Sequence, residues 1–101
     1  MNKIFKVGLI GCGHISETYF RAEKYFNNIK IIKCADINHG NAVRCAKTYK
    51  IQALTVNELL KDKEIEIVLN LTIPKAHYKV AKQALVNGCL LYTSDAADDN
   101  A

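Results

Sequence analysis

No stretch of this 101-residue chain is apolar for long enough to cross a membrane. Its N-terminus, MNKIFKVGLIG, lacks the apolar core and cleavage site of a secretory leader. There is no Cys-x-x-Cys pair either. Cys12, Cys34, Cys45 and Cys89 are spread along the chain, and none stands at metal-ligand spacing from a histidine. They read as small, buried, reduced side chains, with no metal expected. These absences predict a cytoplasmic location and no membrane partner. Charge is not concentrated: the fourteen Lys and Arg residues never form a block. Without a recognised motif or interleaved aromatics they suggest solvated helix faces rather than a nucleic-acid surface, although they would suit an anionic ligand. No repeat or low-complexity linker interrupts the chain, whose length bounds one small domain or part of one.

What is present is an alternation of two kinds of segment. Apolar runs occur at VGLI (7–10), IKIIKCA (29–35) and IEIVLNL (65–71), with a weaker, edge-like one at IQAL (51–54). Runs with so little strict alternation suit strands of a parallel sheet covered on both faces. Between them lie helical patterns. HISETYFRAEKYFNN places Ile15, Tyr19, Ala22 and Phe26 on one stripe, and NAVRCAKTYK has Asn41 as a candidate N-cap. NELLKD is a short helix. The last helix runs from Pro74, the single proline, to Asn87, with Gly88 just beyond its end and Val80, Ala81, Ala84 and Leu85 on its buried face. The order predicts an α/β fold: a doubly wound parallel sheet of about four to five strands, incomplete, with helices on both faces. In such sheets the ligand crevice lies at the carboxyl ends of the strands. Those ends hold Gly11 to Ile15, Asp36 and Asn70 to Pro74.

The clearest local signal is VGLIGCGHIS. Gly11 allows a tight turn, and Gly13 lets the backbone approach a pyrophosphate without a side chain in the way. The helix that follows presents free N–H groups and a partial positive charge to phosphates. Ser16 stands where a third glycine or alanine is commoner, and it is small enough for close helix-to-strand packing. Asp36 follows Gly13 by twenty-three residues, close to the spacing of an acid that accepts the adenosine ribose hydroxyls. A carboxylate there repels a 2′-phosphate, so NAD is favoured over NADP. The competing role for Asp36 is a turn or helix-capping aspartate. His14 sits in the glycine turn, where its backbone matters more than its ring. His77 lies in the first turn of the last helix, where it could face the crevice or simply pack.

VGLIGCGHIS, CADIN and LNLTIPKAHYKVAKQALVNG together resemble the N-terminal domain of the Gfo/Idh/MocA oxidoreductases, the glucose–fructose oxidoreductase and inositol dehydrogenase group. The resemblance spans about Lys6 to Gly88. It implies an NAD(P)-dependent oxidoreductase acting on a sugar, polyol or related carbonyl compound. It also implies Gly11, Cys12, Gly13, His14 and Ile15 as the pyrophosphate loop and Asp36 as the ribose acid. Asn70, Leu71, Thr72 and Pro74 would line the nicotinamide side, with His77 near it. A small-molecule substrate and a homo-oligomer are implied for the full-length protein. Family members continue through a fifth strand to a Glu-Lys-Pro motif and a substrate domain. This chain has no Glu-Lys-Pro, and no lysine after Lys82, so no catalytic residue is assigned.

The end, CLLYTSDAADDNA, differs in character from the rest and carries Asp95, Asp98 and Asp99, three of the ten acidic residues. Its residues from Cys89 to Asp99 match a translation of the transposase end and adapter DNA of short-read sequencing libraries. The expected division is therefore a truncated Rossmann domain over 1–88 and a non-native tail over 89–101, outside fold reasoning. Leu90 to Thr93 has strand-like residues where a fifth strand belongs, so pairing there would reflect β-propensity rather than origin. Two other readings stand beside the oxidoreductase fragment. One is a freestanding, non-catalytic NAD-binding module. The other, a Rossmann-like methyltransferase using S-adenosylmethionine, is disfavoured by the Thr72–His77 element and the glycine spacing.

Overall fold

Strands with apolar side chains at successive positions bury both faces only if helices cover both, and the computed structural model has that arrangement. It describes residues 3–72, 74–88 and 90–93, with the backbone alone for 74–77 and 90–93. Among these the elements are β1 (Phe5–Ile10), α1 (His14–Glu23), β2 (Ile29–Ala35), α2 (His39–Tyr49), β3 (Gln52–Ala53), α3 (Val56–Lys61), β4 (Ile67–Asn70), α4 (Pro74–Val86) and β5 (Leu90–Thr93). The strands form one parallel sheet in the order β3-β2-β1-β4-β5. The chain winds outward in one direction from β1 to β3 and in the other through β4 to β5. The reversal between β1 and β4 opens a crevice at their carboxyl ends. This is the doubly wound Rossmann arrangement expected from the sequence. No helix among the described residues is long and apolar enough to cross a membrane.

Two cores lie on opposite faces of the sheet. On one, Val7, Leu9, Ile31, Cys34 and Leu69 meet Phe20 of α1 and Ala42 and Cys45 of α2. On the other, Ile10, Ala35 and Val68 meet Leu59 and Leu60 of α3 and Val80 and Ala84 of α4. The register between β1 and β2 slips once: Val7 pairs with Ile31, but Gly8 pairs with Lys33. Gly8 admits α3 closely, since a Cβ there would stand 2.8 Å from Leu59 Cδ2. Lys33 reaches the residues that follow α3 and pairs with Asp62 and, at 2.9 Å, with Glu64. With only 14% of its side chain exposed, Lys33 departs from the solvated helix lysines expected of the sequence.

Several local expectations are corrected. Helix α1 ends at Glu23 and tightens into three i→i−3 bonds through Phe26, which carries Phe26 off the expected stripe and leaves it 54% exposed. Ser16 and Phe20 are the buried residues of α1 instead, and Phe20 stacks on Tyr49 of α2 with ring centroids 3.8 Å apart. The N-cap of α2 is Asn38, whose side chain accepts from the Gly40 N–H at 3.0 Å, and Asn41 lies inside the helix. Helix α3 opens with a capping box, in which Thr55 and Glu58 bond each other's backbone N–H. On α4, Val80 and Ala84 are buried, whereas Leu85 points away from the sheet and is largely exposed. Leu90–Thr93 pairs with β4 as the expected fifth strand, while Cys89 and 94–101 of the tail lie outside the described residues.

Candidate cofactor-binding site

Three backbone and side-chain ties gather the carboxyl ends of β1, β2 and β4. The Gly11 N–H donates to Ala35 O at 2.9 Å and the Leu71 N–H to Ile10 O at 2.7 Å. The Cys12 N–H donates to Asp36 Oδ2 at 2.7 Å. Gly11 has φ +104°, in the region that glycine enters without penalty. A Cβ on it would lie 2.7 Å from the carbonyl carbon of Leu71, so glycine is required by space as well as by backbone conformation. Gly13 is the N-cap of α1 and offers no side chain to satisfy the first turn. Nothing lies within 4 Å of where its Cβ would stand, so the approach to the first-turn N–H groups is open. Ser16 is buried and donates its hydroxyl to Gly13 O at 2.6 Å, which sets the small residue of the turn against the sheet.

Asp36 is half-buried, with each carboxylate oxygen held by one backbone N–H: Oδ2 by Cys12 and Oδ1 by Asn38 at 2.8 Å. It is thus a turn aspartate as well as a tie to the glycine loop. A carboxylate accepts about four hydrogen bonds, so two vicinal hydroxyls can still be received. Beyond it lies a groove of about 420 Å³ between the end of β2, the start of α3 and α4, lined by Asp36, Ile37, Val56, Lys79, Val80 and Gln83. Ile37, Val56, Lys79 and Gln83 were not singled out from the sequence. The signal for Ile37, 68% exposed, is an apolar residue directly after the acid.

The remaining expected residues divide by position. Asn70 and Thr72 are buried, and Asn70 Oδ1 accepts from both the Thr72 N–H, at 3.2 Å, and its hydroxyl, at 2.7 Å. Leu71 is buried against the core, its backbone touching Gly11. His14 is exposed at the first position of α1, and Ile15 packs half-buried onto the α1–α2 core. Pro74 and His77 lie in the first turn of α4, and their side chains are outside the described set. The structure therefore brings together Gly11 to Ile15, Asp36 and Asn70 to Thr72 at one edge. A glycine cradle, an uncapped helix start and a carboxylate with spare acceptor capacity fit a dinucleotide.

Three of the cysteines expected to be separate buried side chains come together, and Cys12 is only half-buried. Cys12, Cys34 and Cys45 are free thiols whose sulfurs all lie within 4.8 Å of one another. The neighbouring thiols of Cys12 and then Cys34 lower Cys45 to about 4, while Cys12 is pushed up by Cys34, Cys45 and burial.

Comparison with known proteins gives a consistent picture. The model of the Gfo/Idh/MocA family, described as an oxidoreductase family with an NAD-binding Rossmann fold, matches residues 5–92. That match runs past Gly88 into the segment paired as β5. An inositol 2-dehydrogenase of Salmonella typhimurium is 30% identical over 84 residues, covering 79% of this chain and 25% of the relative. The chain thus spans about a quarter of the length of the curated relatives it matches. The myo-inositol dehydrogenase of Lactobacillus casei, solved with NAD(H) and myo-inositol, superposes with a TM-score of 0.79 at 23% identity, over 89% of this chain and 28% of that one. The biliverdin reductase of Synechocystis, solved with biliverdin and NADP+, gives 0.78 at 22% identity, over 87% and 28%.

Proposed function

We propose, on the premise that this chain belongs to the Gfo/Idh/MocA family of oxidoreductases with an NAD-binding Rossmann fold, that it is the cofactor-holding part of an enzyme acting on a sugar, polyol or related carbonyl compound. The observation that carries this reading is Asp36, fixed by the Cys12 N–H beside an open glycine turn and at the mouth of a groove. The pyrophosphate lies over the backbone of Gly11 to Ile15, where N–H groups and the helix dipole of α1 receive it. Asp36 takes the adenosine ribose hydroxyls, and Ile37, Val56 and Val80 flank the base. Asn70, Leu71 and Thr72 border the nicotinamide side, with Pro74 and His77 following them in α4. A nicotinamide cofactor supplies or accepts the hydride in such reactions; the residues of this chain bind and orient it. NAD is preferred over NADP, because a 2′-phosphate would meet the Asp36 carboxylate.

The whole enzyme's substrate is a small molecule, held outside the residues present here, and the protein works in the cytoplasm with its thiols reduced. Neither nucleic acid nor membrane is a partner, and the full-length protein is a homo-oligomer. This chain alone gives no turnover. Residues 89–101 are translated adapter, and the pairing of Leu90–Thr93 follows from strand propensity. Two experiments test the reading. Isothermal titration should give binding of NADH and none of S-adenosylmethionine; the reverse would turn the assignment to a methyltransferase. Sequencing the source DNA past the Gly88 codon should uncover a Glu-Lys-Pro run in a long frame. A stop directly after the Ala101 codon would leave the freestanding NAD-binding module instead.

A further inference from the structure

Cys12 from the glycine turn, Cys34 from β2 and Cys45 from α2 converge on the α1–α2 face of the sheet. Here all three sulfurs lie within 4.8 Å of each other, although the residues stand far apart in the chain. We propose that they form a binding site for one thiophilic d10 cation, Zn2+ or Cu+.

Four features support the assignment. First, the spacing is close to what such an ion needs: with metal–sulfur bonds of about 2.3 Å, ligating sulfurs stand about 4 Å apart, so the trio must contract by less than about 1 Å. Second, three thiolates and no carboxylate or imidazole make a soft ligand set, which selects these ions over Mg2+ or Ca2+. Third, metallation leaves no buried acceptor stranded. The Cys12 and Cys34 thiols now donate, at 3.4 Å, to Ala35 O and Ala42 O. Ala35 O also accepts the Gly11 N–H, and Ala42 O lies within the ladder of α2. Fourth, an entry path exists: a cleft of about 430 Å³ between α1 and α2 reaches Cys12 and Cys45. It leaves room for a water as fourth ligand to Zn2+, whereas Cu+ is satisfied by three sulfurs. Each thiol that ligates gives its proton to solvent, so binding weakens as pH falls. The bound ion bridges the glycine turn, β2 and α2.

The test is a Cd2+ titration of the full chain, reduced and under argon, followed by thiolate-to-cadmium absorption in the ultraviolet. The expected result is a band that saturates at one equivalent and is unchanged by Cys89→Ala. Cys12→Ala, Cys34→Ala or Cys45→Ala should each weaken binding by at least about tenfold. Circular dichroism of Cys45→Ala, unchanged from the parent, separates ligand loss from unfolding. Zn2+ should displace Cd2+ and raise the thermal midpoint of the parent but not of the triple alanine variant. No band at a tenfold excess of Cd2+, a band that survives the triple variant, or one lost with Cys89→Ala alone would each overturn the site.

Discussion

Gly11 and Gly13 are two residues apart and make opposite demands. At Gly11 an added methyl meets the backbone of Leu71 and Thr72, none of it able to swing aside, at a φ of +104°. Gly11→Ala is expected to cost about 2–4 kcal/mol in urea denaturation. At Gly13 the same methyl meets nothing within 4 Å, and the backbone is extended, with φ −85° and ψ −164°. Gly13→Ala should leave stability within about 0.5 kcal/mol while weakening NADH binding by at least about tenfold, because the methyl fills the space a pyrophosphate enters. If both substitutions unfold the chain, or neither weakens binding, the division of labour in the turn is wrong. Lys33 carries a different prediction. Its hydrogen bonds to Asp62 and then Glu64 raise it, while its ammonium holds both carboxyls below their usual range. The carboxylates' contribution is present above the ordinary carboxylate values of 3.8 and 4.5 and lost as pH falls through their depressed ones. That of Lys33 is complete below 10.5 and lost as pH rises through its raised value. Lys33→Met should therefore destabilise the protein by about 1–3 kcal/mol at pH 7, and the difference from the parent should shrink in acid. A difference that does not change between pH 7 and pH 3 would contradict this account of the ion pair.

Among the elements, strands and their order were the most legible part of the sequence. IKIIKCA became β2 without a residue's change, because a run buried on both faces has no competing helical stripe. Helix ends were less legible, since they depend on caps and on what the next turn packs against. The sequence pattern placed Phe26 on α1 and Leu85 in the core, but the tightening after Glu23 and the position of the sheet beneath Val80 and Ala84 put both in solvent. The Thr55–Glu58 box has the signature of a helix start, Thr-x-x-Glu, and begins α3 at Val56, one residue before the NELLKD segment expected. Thr55→Ala should cost about 1 kcal/mol, measured by thermal denaturation, and an unchanged midpoint would show that packing of Leu59 and Leu60 alone holds the helix. At the site, the glycine turn and Asp36 could be read because their chemistry depends on local spacing. Lys33 and the cysteine trio could not, since they are brought together by the sheet register and by α2, which no spacing rule encodes.

For the whole molecule, the sheet has β3 and β5 at its edges, and β5 comes from the segment proposed to be a non-native tail. Removing it exposes the N–H and C=O groups of β4 that now pair with Leu90–Thr93. Residues 1–88 alone are expected to aggregate or to melt without cooperativity, and a sharp reversible thermal transition for that span would contradict the expectation. The exposed Tyr78, Leu85 and Val86 of α4 add to the same liability. The central claim, that a dinucleotide lies across the carboxyl edge of β1 and β2, is tested most directly by following backbone amide resonances of the full chain during an NADH titration. The amides of Gly11 to Ile15 and Asp36 to Asn38 should shift together along one saturating curve, and Asp36→Ala should abolish it. Shifts confined to Asn41 to Tyr49 of α2, or an Asp36→Ala chain that binds NADH unchanged, would show that the cofactor is held elsewhere or not at all.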